Sequence, residues 1–242
     1  MSAPFRTVGQ SVVARALSRR SDRPLLSLSA WPCVDAAMAI DPDVLSQLPP
    51  RPYAEVRRQV RDGDILLCSA DDSFSRLIRW STRSPWSHVA IAFQLEEIGR
   101  VIVLECVEKL GVRAVPLSSF VARTSNGTEP YPGRILLARH AGMAAKSRAK
   151  PLKKMAEFAF GRLGDRFSQA EVLKIALRIV LSRFDVRLHP SLGPKNEFIC
   201  SEYVARCFET VGLEFPWDGL GFMAPADIAG DPRLEAVAQI RT

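Results

Sequence analysis

The chain has 242 residues, of which 47% are hydrophobic, and it carries a formal net charge of +7 with an isoelectric point near 9.5. This length suffices for one domain with a sizeable core and an appended segment. No apolar run is long enough to span a membrane, and without a convincing signal peptide we expect a cytoplasmic protein. Five cysteines without close pairing and three scattered histidines predict neither a disulfide framework nor a metal site, and no cofactor is expected.

The positive charge is concentrated in an Arg-rich N-terminal stretch and in the segment from Lys146 to Lys154. Such segments suit a weak contact with an anionic surface, although a solvated tail and a solvated helix start are the simpler interpretation. Aromatic residues do not alternate with the basic ones as they do in single-strand binding grooves, so no specific nucleic-acid partner is expected.

In chain order, residues 1–50 contain several prolines and predict a poorly ordered basic extension, and residues 51–242 predict the folded domain. The domain pattern predicts a short helix at 52–60, a buried strand at 65–69 and a helix at 74–82. A hairpin follows at 88–93 and 100–108, then a strand at 111–115, a helical turn at 117–122 and a strand at 134–138. Helices are predicted at 145–160 and 168–182 and again from Cys200, ending near Gly212. Strands in the middle with helices on either side predict an α+β domain built on an antiparallel sheet.

Cys200 lies where an apolar run becomes an amphipathic helix, so its thiol would feel the positive end of the helix dipole. Unpaired N–H groups at a helix N-terminus also favour the thiolate. Cys68, Cys106 and Cys207 occur in strand-like or core-like contexts, and Cys33 occurs in an irregular one. An isolated cysteine is usually a small core residue. Cys200 is nevertheless the candidate nucleophile because of its position.

His88 begins the first strand of the predicted hairpin, and Glu105 lies within the apolar second strand. If the loop is centred between Glu96 and Glu97, His88 is directly opposite Glu105, with their Cβ atoms roughly 5 Å apart. Glu105 could then orient the imidazole as the third member of a catalytic triad does. The alternative is a one-residue register slip that places Glu105 on a solvated face.

These segments occur in an order that resembles a known family. A Gly-Asp strand start at Asp64, a Ser-Pro-Trp-Ser-His run ending at His88, Glu105 and a Phe-Ile-Cys-Ser-Glu-Tyr run around Cys200 are similar to the circularly permuted papain-like amidases. This is the YaeF/YiiX-like branch of the NlpC superfamily, which is related to the LRAT-like proteins. The resemblance covers about residues 60–235 and includes a Met-Ala-Pro-Ala-Asp run that begins at Met223.

The resemblance implies a permuted papain-like fold with the nucleophile at a helix N-terminus. It implies that Cys200 is the nucleophile, His88 the general base and Glu105 the residue that orients the histidine. The LRAT-like relatives tend to have a histidine in the third position and an Asn-Cys-Glu-His motif, whereas this chain has Glu105 and Ile-Cys-Ser-Glu. This difference favours the amidase branch.

The resemblance also implies an oxyanion hole near the nucleophile, for which the backbone N–H of Cys200 is a natural donor. Asp64, Trp86 and Tyr203 are candidate substrate-binding residues, and Trp217 and Phe222 are candidate apolar walls, with core packing as the alternative for each aromatic residue. The expected substrate is a small peptide, a cell-wall-type peptide or a lipid. Three functions therefore remain open: a cysteine hydrolase of amide bonds, a lipid-directed acyl hydrolase or acyltransferase, and a non-catalytic binding domain that retains the fold.

Overall fold

The computed structural model describes residues 40, 42–108, 110–122, 129–146, 149–167, 197–216 and 223–242, which all belong to one compact unit spanning Ala37–Thr242. The helix expected at 168–182, the residues Trp217 and Phe222, and most of the expected N-terminal extension lie outside the described residues. Across the described part of the chain, no helix is both long and apolar enough to cross a membrane.

The elements follow the predicted order closely. The described helices are α1 (Pro42–Gln47), α2 (Tyr53–Val56), α3 (Ser73–Thr82), α4 (Leu117–Ala122), α5 (Met143–Lys146), α6 (Ala149–Gly161), α7 (Cys200–Glu209) and α8 (Pro225–Ala229). The described strands are β1 (Asp64–Ala70), β2 (His88–Leu95), β3 (Arg100–Val107), β4 (Gly111–Pro116), β5 (Gly133–His140), β6 (Arg166–Phe167), β7 (Glu197–Phe198) and β8 (Leu234–Ile240).

Within the described residues, six strands form one sheet in the order β4-β3-β2-β1-β5-β8, and every neighbouring pair is antiparallel. The short strands β6 and β7 form a separate parallel pair. The predicted α+β class with an antiparallel sheet is thereby confirmed. Strand β8 was not predicted, because its apolar residues form the edge of the sheet far from the motif-bearing segments.

Helices cover both faces of the sheet, which explains the continuous apolar character of β1. Every residue of β1 is buried. Side chains alternate between the faces of a strand, so Ile65 and Leu67 pack toward α6 and α7, whereas Leu66 and Cys68 pack toward α2 and α4. The sheet is therefore the central layer of the domain.

Residues before position 51 contribute to the core. Ile40 and Leu45 are both buried in the cluster that contains α7, and the Ile40 carbonyl accepts a hydrogen bond from Trp86 Nε1. Residues 42–47 are helical. These apolar side chains complete the core, and the expected boundary between residues 50 and 51 stays a prediction.

Several chain segments meet at one end of the sheet. β1 ends there at Ala70, α3 follows, and the chain re-enters the sheet at His88. The side chain of Asp72 caps α3 by accepting hydrogen bonds from the N–H groups of Phe74 and Ser75. The N-terminus of α7 also reaches this end, because the helix packs on β2 and β3 and the His88 side chain lowers the pKa of Cys200.

Candidate active site

Cys200 is the first residue of α7. The preceding residue, Ile199, is extended and has no polar side chain with which to cap the helix. The N–H groups of the first turn therefore remain available to other acceptors. The backbone N–H groups of Val89 and Ser201 help to lower the pKa of the Cys200 thiol, and the helix dipole also favours a thiolate at this position.

His88 lies between Cys200 and Glu105. It is the first residue of β2 and lies directly opposite Cys68 of β1. Its Nε2 atom is 2.7 Å from Oε2 of Glu105, and the neighbouring Cys200 side chain raises the pKa of its ring. Because Nε2 faces the carboxylate, Nδ1 is the ring nitrogen that remains for the sulfur.

Glu105 is 2% exposed, yet both oxygens of its carboxylate have partners. Oε2 contacts His88, whereas Oε1 accepts hydrogen bonds from Arg113 Nε at 2.8 Å and lies 2.7 Å from Arg113 Nη2. Arg113 is directly opposite Glu105 in the β3–β4 ladder. A buried carboxylate is unfavourable unless it is paired, and these contacts account for its presence in an apolar strand.

The three groups stabilise one another's charged forms. Burial by itself would lower the pKa of His88, but the charges and hydrogen bonds of Cys200 and Glu105 raise this pKa to about 10. Burial would raise the pKa of Cys200, but His88 and the two N–H donors lower it below its usual range. Burial would likewise raise the pKa of Glu105, but His88 and Arg113 keep it low. These shifts favour a thiolate–imidazolium pair beside an ionised carboxylate.

The other described cysteines have the opposite environment. Cys68, Cys106 and Cys207 are buried, and burial raises the pKa of each thiol well above its usual range. Cys33 lies outside the described residues. Among the described cysteines, Cys200 is therefore the one whose surroundings favour the nucleophilic form.

Asp64 forms a buried ion pair with Arg139. Its carboxylate is buried and binds Arg139 through two contacts of 2.7 Å, and it also accepts the N–H of Arg61. Asp64 lies four residues before Cys68, the cross-strand partner of His88. Four residues span about 13 Å along a strand. These contacts are those of a structural ion pair, and a substrate-binding role of Asp64 stays a prediction.

Trp86 and Tyr203 are also structural residues, as the core-packing alternative allowed. Both side chains are completely buried. Trp86 Nε1 donates to the Ile40 carbonyl at 3.4 Å, and the Tyr203 hydroxyl donates to the Ala159 carbonyl at 2.9 Å. Their side chains pack in the core, and a substrate-binding role stays a prediction for both.

Two residues near the site were not predicted. Arg113 contacts Glu105, and Tyr131 influences the pKa of Cys68, the cross-strand partner of His88. A signal for Arg113 exists in the sequence: β3 and β4 are consecutive strands, and their antiparallel register places residues 105 and 113 opposite each other. Tyr131 precedes β5 in a segment with no comparable periodicity.

Comparison with known proteins agrees with this architecture. Residues 59–169, slightly under half of the chain, match the family model described as "Permuted papain-like amidase enzyme, YaeF/YiiX, C92 family". No curated protein matches the sequence.

A solved structure titled as the metalloprotein yiiX from Escherichia coli O157:H7 is similar, with a TM-score of 0.53 at 18% identity over 76% of this chain and 99% of that one. In the described part of the present chain, no group of three or more His, Cys, Asp and Glu side chains could hold a metal ion.

The matched residues include His88, Glu105 and Arg113, and the similar structure shares the fold. The family model describes permuted papain-like amidase enzymes. The chain therefore carries a domain similar to the permuted papain-like domains of the YaeF/YiiX type.

Proposed function

We propose that the protein hydrolyses amide bonds of peptide or N-acyl type through a Cys200–His88–Glu105 triad and a covalent acyl-enzyme. The observation that carries this proposal is the position of His88, whose Nε2 lies 2.7 Å from Oε2 of Glu105 and whose pKa is raised by the Cys200 side chain. A nucleophile, a base and a residue that orients the base are the minimum set for this chemistry.

In the acylation step, the Cys200 thiolate attacks the carbonyl carbon and a C–S bond forms. His88, as imidazolium, gives its proton to the leaving nitrogen as the C–N bond breaks. The oxyanion of the tetrahedral intermediate needs N–H donors, and the N–H of Cys200 is suitable because the first N–H groups of a helix have no intrahelical acceptor.

In the deacylation step, a water molecule attacks the thioester. Neutral His88 now removes a proton from that water, the C–S bond breaks, and the acid product leaves with the thiolate restored. Glu105 remains ionised in both steps and stabilises the imidazolium whenever His88 is charged.

A soluble peptide or N-acyl substrate is the better candidate, and cell-wall-type peptides belong to this class. The matched family is described as an amidase family. The chain also has Glu105 where the LRAT-like proteins tend to have histidine, and Ile-Cys-Ser-Glu in place of their nucleophile motif.

A lipid substrate is the second candidate because apolar side chains are exposed near the site. α3, which leads directly into the segment before His88, exposes Phe74 by 39%, Leu77 by 43% and Trp80 by 54%. Exposed apolar residues of this size beside Arg76 and Arg83 would suit an anionic lipid surface. The exposed side chains of Lys150, Lys153 and Lys154 on α6 could add to such a contact. The third candidate, a binding domain without activity, does not explain why all three triad positions retain reactive residues.

The discriminating experiment compares soluble N-acyl and γ-glutamyl peptides with phospholipid in anionic vesicles, using wild-type protein and the Cys200→Ala variant. The proposal expects Cys200-dependent cleavage of soluble peptides that vesicles and salt do not change. Fatty-acid release that depends on Cys200 and falls with salt, without peptide cleavage, would establish the lipid candidate instead. Absence of both activities in folded wild-type protein would favour the binding domain.

A further inference from the structure

We propose that Arg113 is a positioning residue of the active site, which holds Oε1 of Glu105 so that Oε2 stays on Nε2 of His88. This inference rests on the proposed triad and extends it by a fourth side chain, supplied by the neighbouring strand β4. Arg113 contacts no part of Cys200 or His88 that the structure records, so it acts through Glu105.

The geometry divides the carboxylate between two partners. Nε and Nη2 of Arg113 both contact Oε1, at 2.8 and 2.7 Å, and neither takes Oε2. His88 Nε2 contacts Oε2 at 2.7 Å. A guanidinium is planar and presents its N–H donors in a fixed geometry. Its two contacts with one carboxylate oxygen therefore fix the rotation of the carboxylate, and the other oxygen then fixes the orientation of the His88 ring.

The electrostatic surroundings give Arg113 a second effect. Glu105 is 2% exposed and cannot rely on water to stabilise its charge. The cations that face it are His88 and Arg113. The other titratable groups around Glu105 and His88 carry no positive charge. They are the Cys200 thiolate, Cys68, Tyr131 and Cys106, together with Asp165 and Glu202, which lie near Cys106.

The effect matters most when His88 is neutral. During deacylation His88 has given up its proton, and without Arg113 the buried carboxylate would then face no cation. Such a carboxylate tends to take up a proton or to rotate away. With Arg113 in place, the carboxylate stays ionised and aligned throughout the cycle.

The same positive charge acts on the reactive pair. A cation nearby disfavours the imidazolium and favours the thiolate. Its removal therefore raises the pH at which the thiolate forms and also the pH at which His88 loses its proton. The whole window of Cys200 reactivity should move to higher pH.

The chain contains a matched control pair. Arg139 and Asp64 form a second buried ion pair in the same sheet, with the carboxylate side chain 2% exposed, as in Glu105, and the arginine 21% exposed against 26% for Arg113. Asp64 lies far along β1 from His88. Arg139→Met therefore removes a comparable ion pair from the fold without touching the proposed triad.

The experiment measures the rate of Cys200 alkylation by iodoacetamide from about pH 5 to about pH 10, with peptide mapping and with thermal unfolding of each variant. For Arg113→Met we expect both limbs of the pH profile to move up by about half a unit to one unit and the maximal rate to fall. Arg113→Lys should recover part of the pH shift and part of the lost rate, since lysine restores the positive charge but not the planar pair of donors. Arg139→Met should lower the unfolding temperature and leave the profile in place. If Arg113→Met does not fold, the pH profile of Arg113→Lys is compared with that of the wild type instead.

A double variant shows whether Arg113 acts through Glu105. In the Glu105→Gln background, Arg113→Met should cause no further fall in the maximal rate, because no carboxylate remains to be held. An equal fall in both backgrounds, or a profile that coincides with that of Arg139→Met, would overturn the inference. A wild-type Cys200 that reacts no faster than the unfolded chain would instead refute the proposed triad itself, so the two failures can be told apart.

Discussion

His88 and Glu105 meet diagonally across the β2–β3 hairpin. The ladder pairs Ile91 with Leu104, and continuing this register places Ala90 opposite Glu105, two residues along the strand from His88. The long Glu105 side chain spans this offset, with 2.7 Å between Oε2 and Nε2. A shift of two residues keeps both side chains on one face of the sheet, so the pair forms although the two residues are not directly opposed.

We predict that Cys200 is the most reactive of the described thiols. At about pH 6.5 an ordinary thiol is only about 1% ionised, whereas His88 and two N–H donors lower the pKa of Cys200. We expect alkylation at least about tenfold faster at Cys200 than at Cys68, Cys106 and Cys207, because the lower intrinsic nucleophilicity of a low-pKa thiolate offsets part of the gain. Peptide mapping of iodoacetamide-treated protein measures this. Uniform labelling of the four thiols in the folded protein would contradict it.

The alkylation rate should also have an unusual pH dependence. An isolated thiol gains reactivity as the pH rises through about 8.5. The thiolate of Cys200 should instead form at lower pH, because its pKa is lowered, and the ion pair should persist until His88 deprotonates near its pKa of about 10. The rate should therefore be nearly level across neutral pH, fall in acid as the thiolate takes up a proton, and change again near pH 10. A single rise near the ordinary thiol value would show that the ion pair does not form.

Glu105→Gln and His88→Ala should differ in severity. Removing His88 deletes the base, and we expect turnover to fall by about 10²–10⁴-fold. Glu105→Gln keeps the shape of the side chain but cannot stabilise the imidazolium, so we expect a fall of roughly tenfold or more and a lower pKa for His88. Steady-state kinetics and an NMR titration of the His88 ring measure these effects. Unchanged turnover in Glu105→Gln would mean that another group orients His88.

Asp64→Asn should affect stability rather than chemistry. It leaves Arg139 without its buried partner, and breaking a buried ion pair from one side destabilises a protein by about 3–5 kcal/mol. Urea unfolding should detect this loss, while the Cys200 alkylation rate of the folded variant stays at the wild-type value. A large fall in alkylation rate with unchanged stability would indicate that Asp64 acts in the active site.

Tyr203→Phe provides a milder comparison within α7. The substitution removes the hydroxyl that donates to the Ala159 carbonyl, and the loss of a buried hydrogen bond lowers the free energy of unfolding by about 1 kcal/mol. Because Tyr203 faces the core, kcat/KM should remain within about twofold of wild type. A selective increase in KM would indicate that Tyr203 contacts substrate after all.

The sequence predicted the strands and the order of the segments well, because period-two alternation and buried apolar runs are strong local signals. β1, β2, β3 and β4 lie within two residues of their expected bounds. The hairpin register was wrong by two residues, since a single turn of 3₁₀ helix over Glu96–Ile98 and Gly99, with φ of 60°, shifts the loop centre. Loop conformation of this kind depends on a few backbone angles that periodicity does not encode.

The partners of the expected pocket residues could not be predicted from the sequence, for a different reason. Asp64, Trp86 and Tyr203 were chosen for their proximity in sequence to family motifs, but each side chain is bonded within the core. Their partners Ile40, Arg139 and Ala159 come from other parts of the chain, 46, 75 and 44 residues away. Long-range pairing of this kind follows from the packed fold and not from local pattern.

The most direct test of the proposed mechanism is the capture of the acyl-enzyme. Wild-type protein is mixed with p-nitrophenyl acetate, quenched in acid and analysed by peptide mass spectrometry, with Cys200→Ala as the control. The account predicts an acetyl group on the peptide that contains Cys200, an early burst of p-nitrophenol and neither signal in Cys200→Ala. Ester cleavage that continues in Cys200→Ala, with no acetyl group on Cys200 in the wild type, would contradict it.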